Sequence, residues 1–257
     1  MKAVILAGGF GTRISEESVV RPKPMVEIGG RPILWHIMKM YSAHGVDEFV
    51  ICAGYKGSMI KEYFARYFLH MSDFTIDLEH DAITTHSTRA EAWKVTIVDT
   101  GQDTMTGGRL KRVRPYLGDE AFFMTYGDCV SDVDFDELFE CHRKENALVT
   151  LTAIQPPGRF GIVALHEGSA RIHGFHEKPK GDGAWVNGGF FVVEPSALDY
   201  VDGDETVWER EPLEALAARG ALAAYRHDGY WQNMDTLRDK MVLEEQWTSA
   251  APPWKTW

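Results

Sequence analysis

Lys2-Ala3-Val4-Ile5-Leu6-Ala7-Gly8-Gly9-Phe10-Gly11-Thr12-Arg13 stands at the start of the chain and decides how the rest is read. Lys2 to Leu6 is a short apolar run that stops at glycine, the pattern of a buried strand. Gly8, Gly9 and Gly11 let the backbone approach a ligand without side-chain clash. Backbone N–H groups in such a loop form a concave nest for phosphate oxygens. Thr12 adds a hydroxyl, and Arg13 a planar cation suited to phosphate. A long loop to about Arg31 follows, in place of an immediate helix. The Walker pattern GxxxxGK[ST] is absent, and a GxGxxG fingerprint begun at Gly9 meets Ile14 at its third glycine. The missing glycine and the long loop argue against a nicotinamide enzyme. Taken alone, the glycine stretch is equally compatible with a plain turn.

Working outward, Pro32 is placed to open a helix, with Ile33, Ile37, Met40 and Tyr41 on one face and Gly45 as the stop. Phe49 to Ala53 reads as a second strand, ending at Gly54. Ile60, Tyr63, Phe64 and Phe68 form another helical stripe, expected to be core and interface rather than a stacking platform. Lys94 to Val98 reads as a strand and Arg109 to Tyr116 as a short helix. Ala121 to Thr125 is a further strand, ending at Tyr126-Gly127-Asp128. This alternation predicts an α/β fold, a Rossmann-like, mostly parallel sheet flanked by helices. Beyond Asp134 the pattern becomes mixed α/β. A helix at Phe135 to Glu145 precedes strands at Leu148 to Ile154, Gly161 to Leu165, Arg171 to Phe175 and Phe190 to Val193. Helices return at Pro212 to Arg219 and Thr236 to Trp247. No linker or repeat interrupts residues 1–257, which read as one domain with halves meeting near residue 130. The tail from Ala250 to Trp257 is expected to dock through Trp254 and Trp257, on the body or on a neighbouring subunit.

Composition narrows the classes. Hydrophobic residues are 44% and charged residues 25% of the 257, ordinary for a globular chain, so broad disorder is excluded. No apolar run of about 18 residues exists, and Ala3 to Ala7 is too short for the core of a signal peptide, so no membrane partner is expected. A net charge of −11 repels a polyanion, so nucleic acid is not an expected partner, whereas a small nucleotide can bind where a few cations gather. Cys52, Cys129 and Cys141 are odd in number and show no CxxC, which points to a reducing, cytoplasmic setting.

Those cations are identifiable. In Arg21-Pro22-Lys23-Pro24-Met25 two prolines stiffen the backbone around one lysine, a frame with a use only where that lysine must point at one place. A solvated basic turn is the alternative. Asp128 ends a strand-plus-glycine run. In an open parallel sheet the ligand crevice lies at the carboxyl ends of the strands. The glycine loop, Gly54, the Asp99 to Thr104 stretch and Asp128 all fall at such ends. A carboxylate there suits Mg²⁺, which prefers oxygen ligands and phosphates. His173 and His176, three apart on a strand, point to opposite faces and are not a metal pair.

GGxGTR after the first strand and the Lys23-Pro24-Met25 turn, followed in order by Tyr126-Gly127-Asp128, Glu177-Lys178-Pro179 and Asn187-Gly188-Gly189, resemble the signature of sugar-1-phosphate nucleotidyltransferases over nearly the whole chain. Segments 11–17, 34–41, 105–110, 157–161 and 253–257 look more specifically like that family's glucose-1-phosphate cytidylyltransferase branch. The resemblance implies Mg²⁺ on Asp128 and Asp235. Asp235 alternatively reads as the N-cap of the helix that follows. Nucleotide contacts are implied at Leu6, Ala7, Gly8, Gly9, Gly11, Thr12, Arg13, Lys23, Thr104, Gly108, Arg109 and Asp128, with Arg13 and Lys23 catalytic. Glu177, Lys178, Asn187 and Gly188 are implied on the sugar phosphate. Without the resemblance, Glu177 and Lys178 read equally well as an exposed ion pair, and Asn187 to Gly189 as a strand bulge. Cys129 departs from the Gly or Asn expected after the aspartate. The reaction implied is CTP with α-D-glucose 1-phosphate, in a homo-oligomer such as a hexamer serving surface-polysaccharide synthesis. UTP, dTTP or another sugar phosphate is the nearest rival. A non-catalytic nucleotide-sugar binding protein is the remote one.

Overall fold

The computed structural model describes residues 1–11, 14–156, 162–166, 172–176 and 184–257. In chain order the first half runs β1 (Lys2–Ala7), α1 (Ser15–Ser18), β2 (Glu27–Ile28), β3 (Arg31–Pro32), α2 (Ile33–Ser42), β4 (Glu48–Ala53), α3 (Gly57–His70), β5 (Ser72–Asp77), β6 (Ala82–Thr88), β7 (Lys94–Asp99), α4 (Thr106–Val113) and β8 (Phe122–Tyr126). The second half adds β9 (Cys129–Ser131), α5 (Phe135–Glu145), β10 (Val149–Ile154), β11 (Ile162–Leu165), β12 (Ile172–His176), β13 (Val186–Val193), α6 (Glu211–Ala218), β14 (Leu222–His227), β15 (Trp231–Asn233) and α7 (Leu237–Trp247).

One seven-stranded sheet runs through both halves in the order β14-β10-β13-β8-β1-β4-β7. β1 pairs parallel with β4 on one side and with β8 on the other. Its apolar run is what a parallel strand covered on both faces requires. The strand alternates between two cores. Ala3, Ile5 and Ala7 join Ile33, Tyr41 and Phe135 on one face. Val4 and Leu6 join Leu110, Trp208 and Leu216 on the other. β13 is the only antiparallel member, pairing with both β8 and β10, so the sheet is mostly parallel with a mixed second half as expected.

Several boundaries differ from the sequence expectation. α4 begins at Thr106 rather than Arg109, because its first turn is held from outside: Met105 N–H donates to the Asp204 carbonyl and Gly107 N–H to that of Thr206. β13 begins at Val186, so Asn187-Gly188-Gly189 lies within a strand. Its register against β10 shifts between Leu151 and Ala153, so the pairing is irregular next to that glycine pair. The buried stripe of α3 passes through Ile60 and Tyr67, and Phe68 is half exposed. The β5–β6 hairpin had no apolar signature strong enough to mark it, since β6 is exposed along its whole length.

The tail docks on the body. Trp254 is fully buried, stacked on Trp247 and on Tyr230 with ring centroids 6.0 and 5.9 Å away. Trp257 meets Trp35 edge-on at 6.0 Å. His36 is enclosed in this aromatic cluster, where burial lowers its pKa to about 4. Among the described residues no helix is long and apolar enough to cross a membrane, and the three cysteines are free thiols.

Candidate active site

A cavity of about 630 Å³ opens at the carboxyl ends of β1 and β8. It is lined by the loop from Leu6 to Gly11, by Gln102 to Thr106 with Arg109, and by Lys23, Pro24 and Tyr126 to Asp128. The convergence follows from the sheet: adjacent parallel strands deliver their following loops to the same edge. Gly127 N–H donates to the Leu6 carbonyl at 3.0 Å, stitching the two loops together. A Cβ on Gly127 would lie 2.8 Å from the Pro24 ring, so glycine is what admits the lysine turn beside Asp128.

Lys23 lies in a single 3-10 turn, Lys23–Met25, between its two prolines. Its Nζ donates to Asp128 Oδ2 at 2.7 Å and to Asp235 Oδ1 at 2.6 Å. Burial pushes the lysine pKa down, but the two carboxylates outweigh it and the net shift is upward, so the ammonium stays charged. The two aspartates are 107 residues apart in sequence, and a short ribbon brings them together. β15 pairs antiparallel with β9, setting Asn233 opposite Cys129, and Met234 N–H donates to the Asp128 carbonyl at 2.9 Å. Asn233 Nδ2 then holds Asp235 Oδ2 at 2.7 Å.

Asp235 is not the helix cap. Thr236 caps α7, accepting from Asp239 N–H, while the Asp239 carboxylate accepts from the N–H groups of Thr236 and Asp235. The capping box thus leaves the Asp235 side chain directed at Lys23. Two carboxylates meeting on one cation form a donor set that suits a hard divalent ion, so these residues fit Mg²⁺. Cys129, next to Asp128, is a buried thiol whose pKa is raised by burial and then by the Asp128 charge.

Arg109 also lines the cavity, and its guanidinium is held by the protein's own acceptors. Its guanidinium donates to the carbonyls of Gly8, Ala53, Gly101 and Gln102 and to the Thr100 hydroxyl, at 2.7 to 3.4 Å. These acceptors come from the end of β4 and from the loops after β1 and β7, so the arginine ties three strand ends together. A Cβ on Gly8 would fall 2.1 Å from Arg109 Nη1, and one on Gly54 2.5 Å from it. Those glycines serve the arginine's close approach. Burial lowers the Arg109 pKa from its ordinary value.

Of the nucleotide contacts expected from sequence, Leu6, Ala7, Gly8, Gly9, Gly11, Lys23, Thr104, Arg109 and Asp128 line the cavity. Gly108 does not. It packs against the 202–206 loop, where a Cβ would meet the Asp204 backbone at 2.6 Å, so it serves packing between α4 and that loop. Asn187 uses its Oδ1 to accept from Gly189 N–H at 2.8 Å, and the buried Gly188 gives its carbonyl to Trp231 Nε1 at 2.7 Å. Thr12, Arg13, Glu177 and Lys178 lie outside the described residues. Sequence reasoning passed over Tyr126 and Thr106, which line the cavity, and Glu209, which holds both hydroxyls. Tyr126 stood inside a motif already quoted. Glu209 gave no local signal.

The sequence pattern of the family described as nucleotidyl transferase matches residues 2–247. The chain belongs to the nucleotidyl transferase family. It is 59% identical to the glucose-1-phosphate cytidylyltransferase of Salmonella typhimurium (strain LT2), with all of both chains aligned. It is 43% identical to the probable glucose-1-phosphate cytidylyltransferase of Bacillus subtilis (strain 168), again over all of both. Among solved structures, HddC from Yersinia pseudotuberculosis superposes with a TM-score of 0.71 at 21% identity, covering 96% of this chain and 99% of that one, a likeness of fold. Within the nucleotidyl transferase family, then, this chain has full-length relatives named for cytidylyl transfer.

Proposed function

We propose that the protein joins CTP and α-D-glucose 1-phosphate to give CDP-glucose and pyrophosphate. The observation that carries this reading is the meeting of Asp128 and Asp235 on one cation position beside a cavity walled by a glycine loop. Full-length similarity to the Salmonella enzyme supports the choice of cytidine and glucose.

A phosphate monoester has a second pKa of about 6, so the sugar phosphate is already an anion near neutrality and needs no general base. Its oxygen attacks the α-phosphorus in line. The bond from that phosphorus to the bridging oxygen breaks, and pyrophosphate leaves with the electron pair. The chain's task is positioning and charge neutralisation. Amides of the Gly8 to Gly11 loop cradle the triphosphate, with Arg13 on its β- and γ-phosphates. Lys23, kept protonated by its carboxylate partners, answers the charge that develops at the α-phosphate. Asp128 and Asp235 hold Mg²⁺, which when bound neutralises charge shared between the two substrates. Glu177, Lys178, Asn187 and Gly188 take the sugar phosphate, and the Thr104 to Arg109 segment faces the base.

The protein works in the cytoplasm as a homo-oligomer, a hexamer being the form the sequence resemblance implies, and its product serves polysaccharide synthesis. Support for self-association comes from the β5–β6 hairpin. Ile76 and Ile83 pair across its strands and are 51% and 54% exposed, an apolar face that a two-stranded ribbon does not cover alone.

Pyrophosphate release from glucose 1-phosphate, with Mg²⁺ and each of CTP, UTP, dTTP and ATP in turn, tests the function. A strong preference for CTP is expected. Preference for another nucleotide would keep the chemistry and overturn the cytidylyl assignment. Silence with all four and with a panel of sugar phosphates would favour a non-catalytic binding protein.

A further inference from the structure

A line of side chains joins two separate stretches of chain that line the cavity. Thr106, the first residue of α4, donates from Oγ1 to Glu209 Oε2 at 2.6 Å. Tyr126, two residues before Asp128, donates its hydroxyl to Glu209 Oε1. Trp208 N–H donates to Thr106 Oγ1 at 2.9 Å, so the acceptor side of that hydroxyl is in use. Asn187 commits its Oδ1 to Gly189 N–H at 2.8 Å. Both hydroxyl protons are therefore sent to the same place. A carboxylate is the side chain that accepts at both oxygens, whereas an amide would present N–H to one of two donors.

The placement gives this junction a purpose beyond satisfying hydrogen bonds. Tyr126 lies on the strand that leads to Asp128, and Asn187 is a residue expected on the sugar side. Thr106 begins the helix that follows Gln102 to Met105 on the nucleotide side of the cavity. Gly189, at φ +83°, lets β13 come against the Tyr126 ring, where a Cβ would lie 2.8 Å from Cδ2. We infer that Glu209 is a positioning residue: by holding the Tyr126 and Thr106 hydroxyls together, its carboxylate sets the spacing between the strand that leads to Asp128 and the segment that faces the nucleotide. This rests on the proposed placement of the nucleotide against residues 102–109.

The test is steady-state kinetics of Glu209→Gln, Tyr126→Phe and the double variant, with thermal unfolding of each, using whichever of the four nucleotides the wild type turns over. Each single variant is expected to raise the nucleotide KM about tenfold while kcat falls by less than about threefold, the signature of lost positioning in binding. The double variant should be no worse than Glu209→Gln, since both changes cut one link. Calorimetric titration of the nucleotide without sugar phosphate reads the same loss without turnover. Unchanged nucleotide affinity in folded single variants would overturn the inference, as would penalties that multiply in the double variant. A wild type silent with every nucleotide would instead overturn the proposed function, a result no variant can mimic.

Discussion

Arg109 and Lys23 are buried cations lining one cavity, and the structure treats them in opposite ways. Arg109 is surrounded by five neutral acceptors, four of them backbone carbonyls from three strand ends. Both terminal nitrogens of its fork are used. Lys23 is held by two side-chain carboxylates at the end of a short turn. Its partners are the groups that suit a divalent ion, so another cation can take its place between them. Facing a ligand cavity therefore does not by itself make a cation a ligand contact. What decides is whether its present partners are fixed or exchangeable.

The contrast can be broken by substitution. Lys23→Ala should lower turnover by about 10²- to 10³-fold, as for loss of a donor aimed at developing charge, and shift the glucose 1-phosphate KM far less. Equal turnover would refute its role. His36 sharpens the comparison, since it meets burial by staying neutral. Its folded pKa is depressed to about 4 from 6.5, so the unfolded chain takes up a proton first as pH falls. Stability is present above pH 6.5 and should be lost by about 3 kcal/mol as pH drops to 4, a loss missing from His36→Gln in pH-dependent denaturant unfolding. Arg109→Met should cost about 2 kcal/mol of stability through stranded carbonyls, with no recovery in Mg²⁺, whereas any stability lost in Lys23→Ala under chelation should return with the metal. Asp235→Asn should raise the Mg²⁺ needed for half-maximal turnover about tenfold, read from a metal titration.

How much of this was legible in the sequence depended on the range of the interaction. β1 and β4 were readable because a short continuous apolar run marks a strand buried on both faces. α5 was readable because burial on a period of 3.6 is written locally, and Asp134 caps it with bonds to Asp136 and Glu137 N–H. The Arg21 to Met25 frame was readable for the same reason. The β5–β6 hairpin was not, because its strands are mostly exposed and polar. Asp235 was ambiguous, since an acid before a helix reads as a cap. The Thr236–Asp239 box shows that the cap is Thr236, and the Asp235 side chain meets Lys23 and Asn233 instead. Arg109 was expected among the nucleotide contacts, but its internal partners were hidden, because sequence gives a charge without its acceptors and carbonyls of Gly8 and Ala53 leave no trace in residue type. Glu209 was invisible, joining residues 83 and 103 positions away with no motif of its own.

The most direct measurement is phosphorus NMR of the products formed from CTP and glucose 1-phosphate labelled with ¹⁸O in its phosphate. Attack by the sugar phosphate on the α-phosphorus predicts CDP-glucose with the label in the bridge between its two phosphorus atoms, and unlabelled pyrophosphate. CMP with pyrophosphate, or label released as free phosphate, would contradict cytidylyl transfer at this site.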